Sequence, residues 1–173
     1  MAARMQGLKV RMRVWPGRDP SRLRGKHRIA PAAIDVRCIA RGSALTGATT
    51  GSSWVELGFS ATDVWSNLCL PNVKLASGAL TRPVGVVMWD EGTVADDAEC
   101  WVRVCGVHPY ANVDGTTDVA IGDELELGAD KAVKRATAKA HFAGVALEAR
   151  TDNSVGAARV LLLNPANLPL MVG

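Results

Sequence analysis

The stretch Val119 to Leu163, VAIGDELELGADKAVKRATAKAHFAGVALEARTDNSVGAARVLLL, decides the fold. Glu124-Leu125-Glu126-Leu127 alternates charge with leucine, the period-2 pattern of a strand with one wet face and one buried face. Gly128-Ala129-Asp130 supplies the flexible and Asx-type residues of a hairpin turn. Residues 132–136 are expected to run back, although Ala, Lys and Arg favour helix over strand. Residues 142–149 read as the next strand, Thr151-Asp152-Asn153-Ser154 as a polar turn, and residues 158–163 as a near-continuous apolar strand. No catalytic constellation stands on this scaffold.

Upstream, Val84-Gly85-Val86, an acidic turn and Cys100-Trp101-Val102-Arg103-Val104 parallel Ala143-Gly144-Val145, a polar turn and Ala158-Arg159-Val160-Leu161-Leu162. Two similar hairpins in order fit a barrel built from repeated ribbons. Between and before them the sequence predicts a hairpin over residues 73–82 with Ala76-Ser77-Gly78 at its tip, and a short strand over residues 34–40. The Gly/Ser/Thr-rich stretch 41–53 reads as a surface loop or a low-complexity edge, too poor in apolar area to bury much and so expected to be mobile or held by a partner. His108-Pro109-Tyr110 to Gly115 reads as another loop. Residues 60–68 form the one candidate helix: Ser60 or Thr62 caps it, Asp63 suits its first turn, and Pro71 stops it.

The 173 residues suffice for one well-buried domain with extended arms. A hydrophobic content of 48% with 17 glycines describes a folded, β-rich chain rather than a disordered one. The net charge of +3 does not by itself imply a nucleic-acid partner. Its distribution is more informative. Arg4, Lys9, Arg11, Arg13, Arg18, Arg22, Arg24, Lys26 and Arg28 precede Ile29 against a single acid, Asp19, so the remainder is net acidic. That asymmetry marks residues 1–30 as a basic extended arm, residues 31–163 as the β-barrel domain, and residues 164–173 as an extended, proline-broken tail.

Within the arm, Leu8 to Trp15 alternates apolar and basic residues, as a strand presenting Lys9, Arg11, Arg13 and Trp15 on one face. Two readings stand side by side: a clamp on an acidic neighbouring subunit, or the first strand of the chain's own barrel with its basic face in water. Phosphate neutralisation is a third use of such residues, but no recognised nucleic-acid motif accompanies them. In the tail, Leu168, Leu170 and Met171 would be a liability in water and are expected to pack on a neighbour.

No stretch approaches the ~18 consecutive apolar residues of a membrane span, and the basic N-terminus lacks the apolar segment of a secretory signal. Cys38, Cys69, Cys100 and Cys105 form no zinc spacing. Cys100 and Cys105 on one strand would lie ~17 Å apart on opposite faces, which forbids a disulfide between them. Reduced, buried thiols and synthesis in a reducing cytoplasm follow as expectations. The acids Asp90, Glu91, Asp96, Asp97 and Glu99 come in adjacent pairs and do not match a calcium loop, and His27, His108 and His141 are isolated. No phosphate-binding loop, dinucleotide fingerprint or nucleophile elbow is present. Neither a cofactor nor enzymatic chemistry is expected. Trp15, Trp54, Trp65, Trp89 and Trp101, with the Gly/Ser/Thr loop, leave a glycan-binding surface as the alternative function.

The order GDEL, a short turn, AGVALEA, a polar turn and ARVLLL resembles the C-terminal half of the small tailed-phage capsid decoration (cement) proteins. That family also circulates as a phage-associated domain of unknown function, often mislabelled recombinase-like. The resemblance extends back through residues 100–107 and 84–87, weakly to Arg41-Gly42-Ser43, and spans about the last three-quarters of the chain. It implies an all-β fold, a small β-barrel or β-tulip-like module, usually trimeric, that sits on the outer capsid surface of a virion. There it would bridge major capsid protein subunits by multivalent contacts. With charge asymmetry and apolar tail added, the expected contact residues are Lys9, Arg11, Arg13, Trp15, Arg18, Arg22 and Arg24 in the arm, and Leu168, Leu170 and Met171 in the tail. The long basic arm departs from the family's shorter N-terminus.

Overall fold

The computed structural model describes residues 10–13, 33–58, 70–78, 82–136 and 141–163. Among these the fold is all-β: β1 (Val10–Arg13), β2 (Ala33–Ala40), β3 (Leu45–Gly47), β4 (Trp54–Leu57), β5 (Asn72–Leu75), β6 (Pro83–Val87), β7 (Gly92–Val94), β8 (Glu99–Asp114), β9 (Glu124–Gly128), β10 (Lys131–Lys134), β11 (Gly144–Ala146) and β12 (Val155–Leu162). The candidate helix over residues 60–68 and the tail beyond residue 163 lie outside the described residues.

The organising element is β8, at 16 residues the longest strand. Its first half closes a five-stranded barrel: β2 runs parallel to β5, and β5–β4, β4–β6, β6–β8 and β8–β2 are antiparallel. Its second half closes another ring of the same kind. Here β8 runs parallel to β10, and β10–β9, β9–β11, β11–β12 and β12–β8 are antiparallel. Thus β8 is the last strand of the first barrel and the first strand of the second. At Gly106 the two meet, since this residue pairs with Ala33 of β2 and with Leu162 of β12. Its φ of 97° is a backbone conformation that glycine adopts without steric cost.

The barrels repeat each other pair by pair. Trp54↔Val86 and Val55↔Gly85 in the first correspond to Glu124↔Val145 and Leu125↔Gly144 in the second. Val86↔Arg103 and Val87↔Val102 correspond to Val145↔Leu161 and Ala146↔Val160. Leu57↔Val73 matches Leu127↔Ala132, and Cys38↔Cys100 matches Ala111↔Ala158. The hairpin repeat read from the sequence is therefore the visible part of a repeated five-strand unit. Two glycines hold equivalent close approaches. A Cβ on Gly85 would lie 2.1 Å from the Arg103 carbonyl oxygen, and one on Gly144 would lie 2.7 Å from that of Leu161.

Each barrel has its own core. Cys38, Ala40, Val55, Val73, Val87, Cys100 and Val102 fill the first, and Ala111, Val113, Leu125, Leu127, Ala146, Ala158 and Val160 belong to the second. Strand alternation does the sorting. On β4, Val55 points into the first barrel while its neighbour Trp54 joins the second core, and on β6 Val87 and Val86 divide in the same way. Trp54 is fully buried at this junction and its indole N–H donates to the Asn112 carbonyl at 2.8 Å. Burial of one such tryptophan typically contributes ~3–5 kcal/mol relative to alanine, so the barrels are welded as well as threaded by one strand.

Two sequence expectations are corrected, and a third is tested only in part. Of the expected 73–82 hairpin, residues 73–75 belong to β5, which pairs with β4 and β2 and not with β6, while residues 79–81 of its return arm lie outside the described residues. Closing the ring requires β5 beside β2, which leaves it no edge for β6. The loop expected from His108 to Gly115 is strand, since β8 runs through to Asp114. Pro109 is accommodated at an irregularity, where the β8–β12 register shifts between Ala158 and Val160; proline is tolerated in sheets at such bulges. Finally, the Gly/Ser/Thr stretch needs no partner to hold it. Leu45–Gly47 pairs with Gly92–Val94, burying Leu45 and Val94 against the first core. The Ser52 N–H donates to the Tyr110 carbonyl at 2.7 Å, and the Asn112 N–H to the Ser52 carbonyl at 3.0 Å.

Candidate functional site

Of the contact residues expected from the sequence, Arg11 and Arg13 fall on β1, while Lys9, Trp15, Arg18, Arg22, Arg24, Leu168, Leu170 and Met171 lie outside the described residues. Strand β1 lies antiparallel to β2, with Arg11 in register with Asp35 and Arg13 with Ala33. Because β8 occupies the other edge of β2, β1 takes the length of this edge that β5 leaves uncovered. The basic segment is thus registered, through its backbone, on the first barrel.

Beneath it begins a buried polar chain that leads to the waist of the molecule. Asp35, opposite Arg11, accepts two hydrogen bonds from Arg103: Nε to Oδ1 at 2.8 Å and Nη2 to Oδ2 at 3.2 Å. Both side chains are buried, and bidentate pairing is what allows a guanidinium and a carboxylate to leave water together. Arg103 also donates from Nη1 to the Val107 carbonyl at 2.6 Å, and its guanidinium lies 5.1 Å from the centre of the Trp89 ring. Trp89 meets His108 and Tyr110 edge-on, at 5.5 and 6.0 Å between ring centres.

His108 is wholly buried. Its Nε2 stands 3.0 Å from the Val87 carbonyl and its Nδ1 accepts the Tyr110 N–H at 3.2 Å. A carbonyl only accepts, so the proton sits on Nε2 and the neutral imidazole uses both nitrogens. Burial pushes the His108 pKa down to about 3; the Val87 hydrogen bond opposes that shift and the nearby Arg103 adds to it. The histidine is therefore a structural donor and acceptor, tying β8 to β6.

The acids Glu91, Asp96 and Asp97 serve the loops and strand ends around them. Asp96 Oδ1 accepts the Gly42 N–H at 2.8 Å, Asp97 pairs with Arg41, and Glu91 accepts the Trp101 N–H at 3.2 Å. Asp114 is held down to about 2, chiefly by the Thr116 hydroxyl and then by Lys131. Buried Glu56 and Glu126 occupy equivalent places in the two barrels. Glu56 Oε2 accepts the Ser77 N–H at 3.2 Å, and Glu126 Oε2 the Ala136 N–H at 3.3 Å. These two carboxylates belong to different barrels and each caps backbone, which is not the converging geometry that acid–base catalysis requires. Among the described residues no group of three or more His, Cys, Asp or Glu side chains is placed to hold a metal ion.

Sequence reasoning missed the Asp35–Arg103 pair and the paired glutamates. The first joins distant strands and has no local signal. The second had one: Val55-Glu56-Leu57-Gly58 repeats as Leu125-Glu126-Leu127-Gly128. Of the tryptophans, Trp54 is buried between the barrels, and Trp89 and Trp101 are half-buried.

The site and fold together define a tandem, strand-sharing all-β barrel protein. No family model matches the sequence, and no curated protein matches it. Among solved structures the chain is similar to the head fiber gp8.5 N base of bacteriophage phi29, at a TM-score of 0.46 and 16% identity, over 76% of this chain and 95% of that one.

Proposed function

We propose that this chain is a structural, non-enzymatic virion protein. It binds the outer surface of a tailed-phage capsid as a decoration (cement) protein, assembling as a trimer and bridging major capsid protein subunits. The observation that carries the reading is the registration of the basic strand β1 on the edge of the first barrel. It fixes cationic residues to a rigid body, where a partner with an acidic surface can be clamped. The resemblance of the GDEL, AGVALEA and ARVLLL segments to cement proteins supplies the class of partner. The polar interior supports the same reading, since Asp35, Arg103, His108, Glu56 and Glu126 all serve to hold strands together.

The mechanism is additive binding. Each subunit contributes modest contacts, and a trimer that engages several sites at once gains effective concentration. The glycan-binding alternative loses support, because Trp54 is at the junction and the Gly/Ser/Thr stretch is knit into the first barrel.

The test is solution mass followed by co-sedimentation with empty capsids, for the wild type and for a Lys9→Glu/Arg11→Glu/Arg13→Glu variant. The expected result is a trimer that co-sediments and a variant whose capsid occupancy falls at least tenfold. A monomer that ignores capsids, or full occupancy by the charge-reversed variant, would overturn the reading.

A further inference from the structure

We propose that Cys38 and Cys100 form a cross-strand disulfide that locks the first barrel shut when the chain folds under oxidising conditions. This is independent of the virion reading. Cys38 on β2 and Cys100 on β8 are direct register partners in an antiparallel pair. Residues so placed have Cα atoms ~4.5–5.5 Å apart, inside the ~4.4–6.8 Å range that a disulfide spans. Both side chains are buried in the same core, so their Cβ atoms leave the sheet on the same side.

The duplicated barrel gives an internal control. The equivalent pair in the second barrel is Ala111↔Ala158. Where one barrel places two of the smallest side chains face to face, the other places two thiols, and a bond between the sulfurs shortens their separation to ~2.05 Å. The seam concerned closes the first ring, so a bond there ties β2 to β8 across the intervening β3–β7.

In the folded, reduced chain these thiols are inert. Burial raises the Cys38 pKa, with Cys100 adding to it, and burial pushes Cys100 up to about 12, with Glu91 adding. Thiolates are the nucleophiles of exchange, so oxidation belongs to the folding chain or to a state in which β2 has opened from β8. With glutathione disulfide as oxidant, one cysteine thiolate attacks a glutathione sulfur and releases one glutathione thiolate. The second cysteine thiolate then attacks the mixed disulfide and displaces the other. The protein loses two protons and two electrons, and one glutathione disulfide takes them up to become two glutathione thiols.

The experiment refolds the full chain from denaturant, once with a glutathione redox buffer and once with a reductant. Free thiols are then alkylated under denaturing conditions and the digests are mapped without reduction. The expected product is lighter by two hydrogens, links the peptide of Cys38 to that of Cys100, and leaves Cys69 and Cys105 alkylated. Its midpoint of thermal unfolding should rise by ~5 °C or more over the reduced form, the order expected when a long loop is closed. A Cys38→Ala/Cys100→Ala variant, which copies the second barrel's pair, should fold and show no redox-dependent midpoint. Alkylation of both Cys38 and Cys100 after oxidative refolding, or a linkage to Cys69 or Cys105, would overturn the assignment. So would a redox-dependent midpoint retained by the double alanine variant.

Discussion

Lowering the pH should destabilise this protein through His108. In the folded chain the imidazole is buried, with Nε2–H donating to Val87 and Nδ1 accepting from Tyr110. A second proton on Nδ1 would oppose the Tyr110 N–H and add charge near Arg103, which is already committed to Asp35. The folded pKa is about 3, against ~6.5 for a histidine in an unfolded chain. The unfolded state thus binds a proton below pH ~6.5 that the folded state refuses until about pH 3, so stability present above that range is lost as pH falls through it. At ~1.36 kcal/mol per pH unit, the loss from this group is about 2 kcal/mol between pH 7.5 and pH 5 and on the order of 4–5 kcal/mol by pH 3. The assay is urea denaturation at pH 7.5, 6 and 5 on the wild type and on His108→Gln, whose amide retains a donor and an acceptor but does not titrate. Other groups, Asp114 among them, are common to both proteins and cancel in the difference. The variant should be less stable at pH 7.5, and its deficit should shrink by about 2 kcal/mol at pH 5. Parallel pH profiles would refute the argument, because they would mean that His108 titrates alike folded and unfolded.

Two further outcomes follow from the geometry. Gly85→Ala and Gly144→Ala should each destabilise by ~1–3 kcal/mol through overpacking, with Gly85→Ala the worse, since its Cβ would meet the Arg103 carbonyl at 2.1 Å rather than the Leu161 carbonyl at 2.7 Å; equal denaturation midpoints for the two variants would contradict the ranking. Arg103→Met deprives buried Asp35 of its guanidinium and should cost ~3–5 kcal/mol, whereas Asp35→Leu/Arg103→Met should recover most of that loss. Chemical denaturation of the single and double variants checks this, and additive losses would count against a coupled pair.

The all-β architecture was legible because the strands that decide it alternate cleanly. Glu124-Leu125-Glu126-Leu127 became β9, and the turn after it closes on β10 with Ala129 in the left-handed region at φ 64°. The strand read over residues 142–149 narrows to Gly144–Ala146. What hid the second barrel was β8. Pro109 reads as a break, and only the three-dimensional register reveals that the bulge beside it lets one strand serve two rings. The Gly/Ser/Thr stretch misled for a related reason. Its composition lacks apolar area, yet Leu45 is buried in the first core, Ser52 is bonded through its backbone to β8, and Gly47 and Gly51 pack where a Cβ does not fit. A Cβ on Gly47 would lie 2.0 Å from the Met88 carbonyl oxygen. The basic arm was legible as a charge pattern, but the place of β1, residues 10–13 of it, beside β2 depends on long-range pairing that alternation cannot supply.

Sharing a strand has a mechanical consequence that joining two barrels by a linker would not have. Relative movement of linked domains needs a boundary at which few bonds break. Here the boundary is the interior of β8, flanked on both sides by ladder hydrogen bonds to β2 and β12 and sealed by Trp54. A hinge at Gly106 would have to break pairing in both rings and expose Trp54, Ala76 and Val86, which leave the first barrel to fill the core of the second. The two barrels therefore behave as one body, and a load applied at β1 on the first is carried to β12 on the second along continuous backbone ladders. For the proposed decoration role this matters more than the chemistry of any one side chain. A bridge between capsid subunits resists separation only if its two ends cannot move apart independently, and a chain whose two cores share one strand meets that condition within a single protomer.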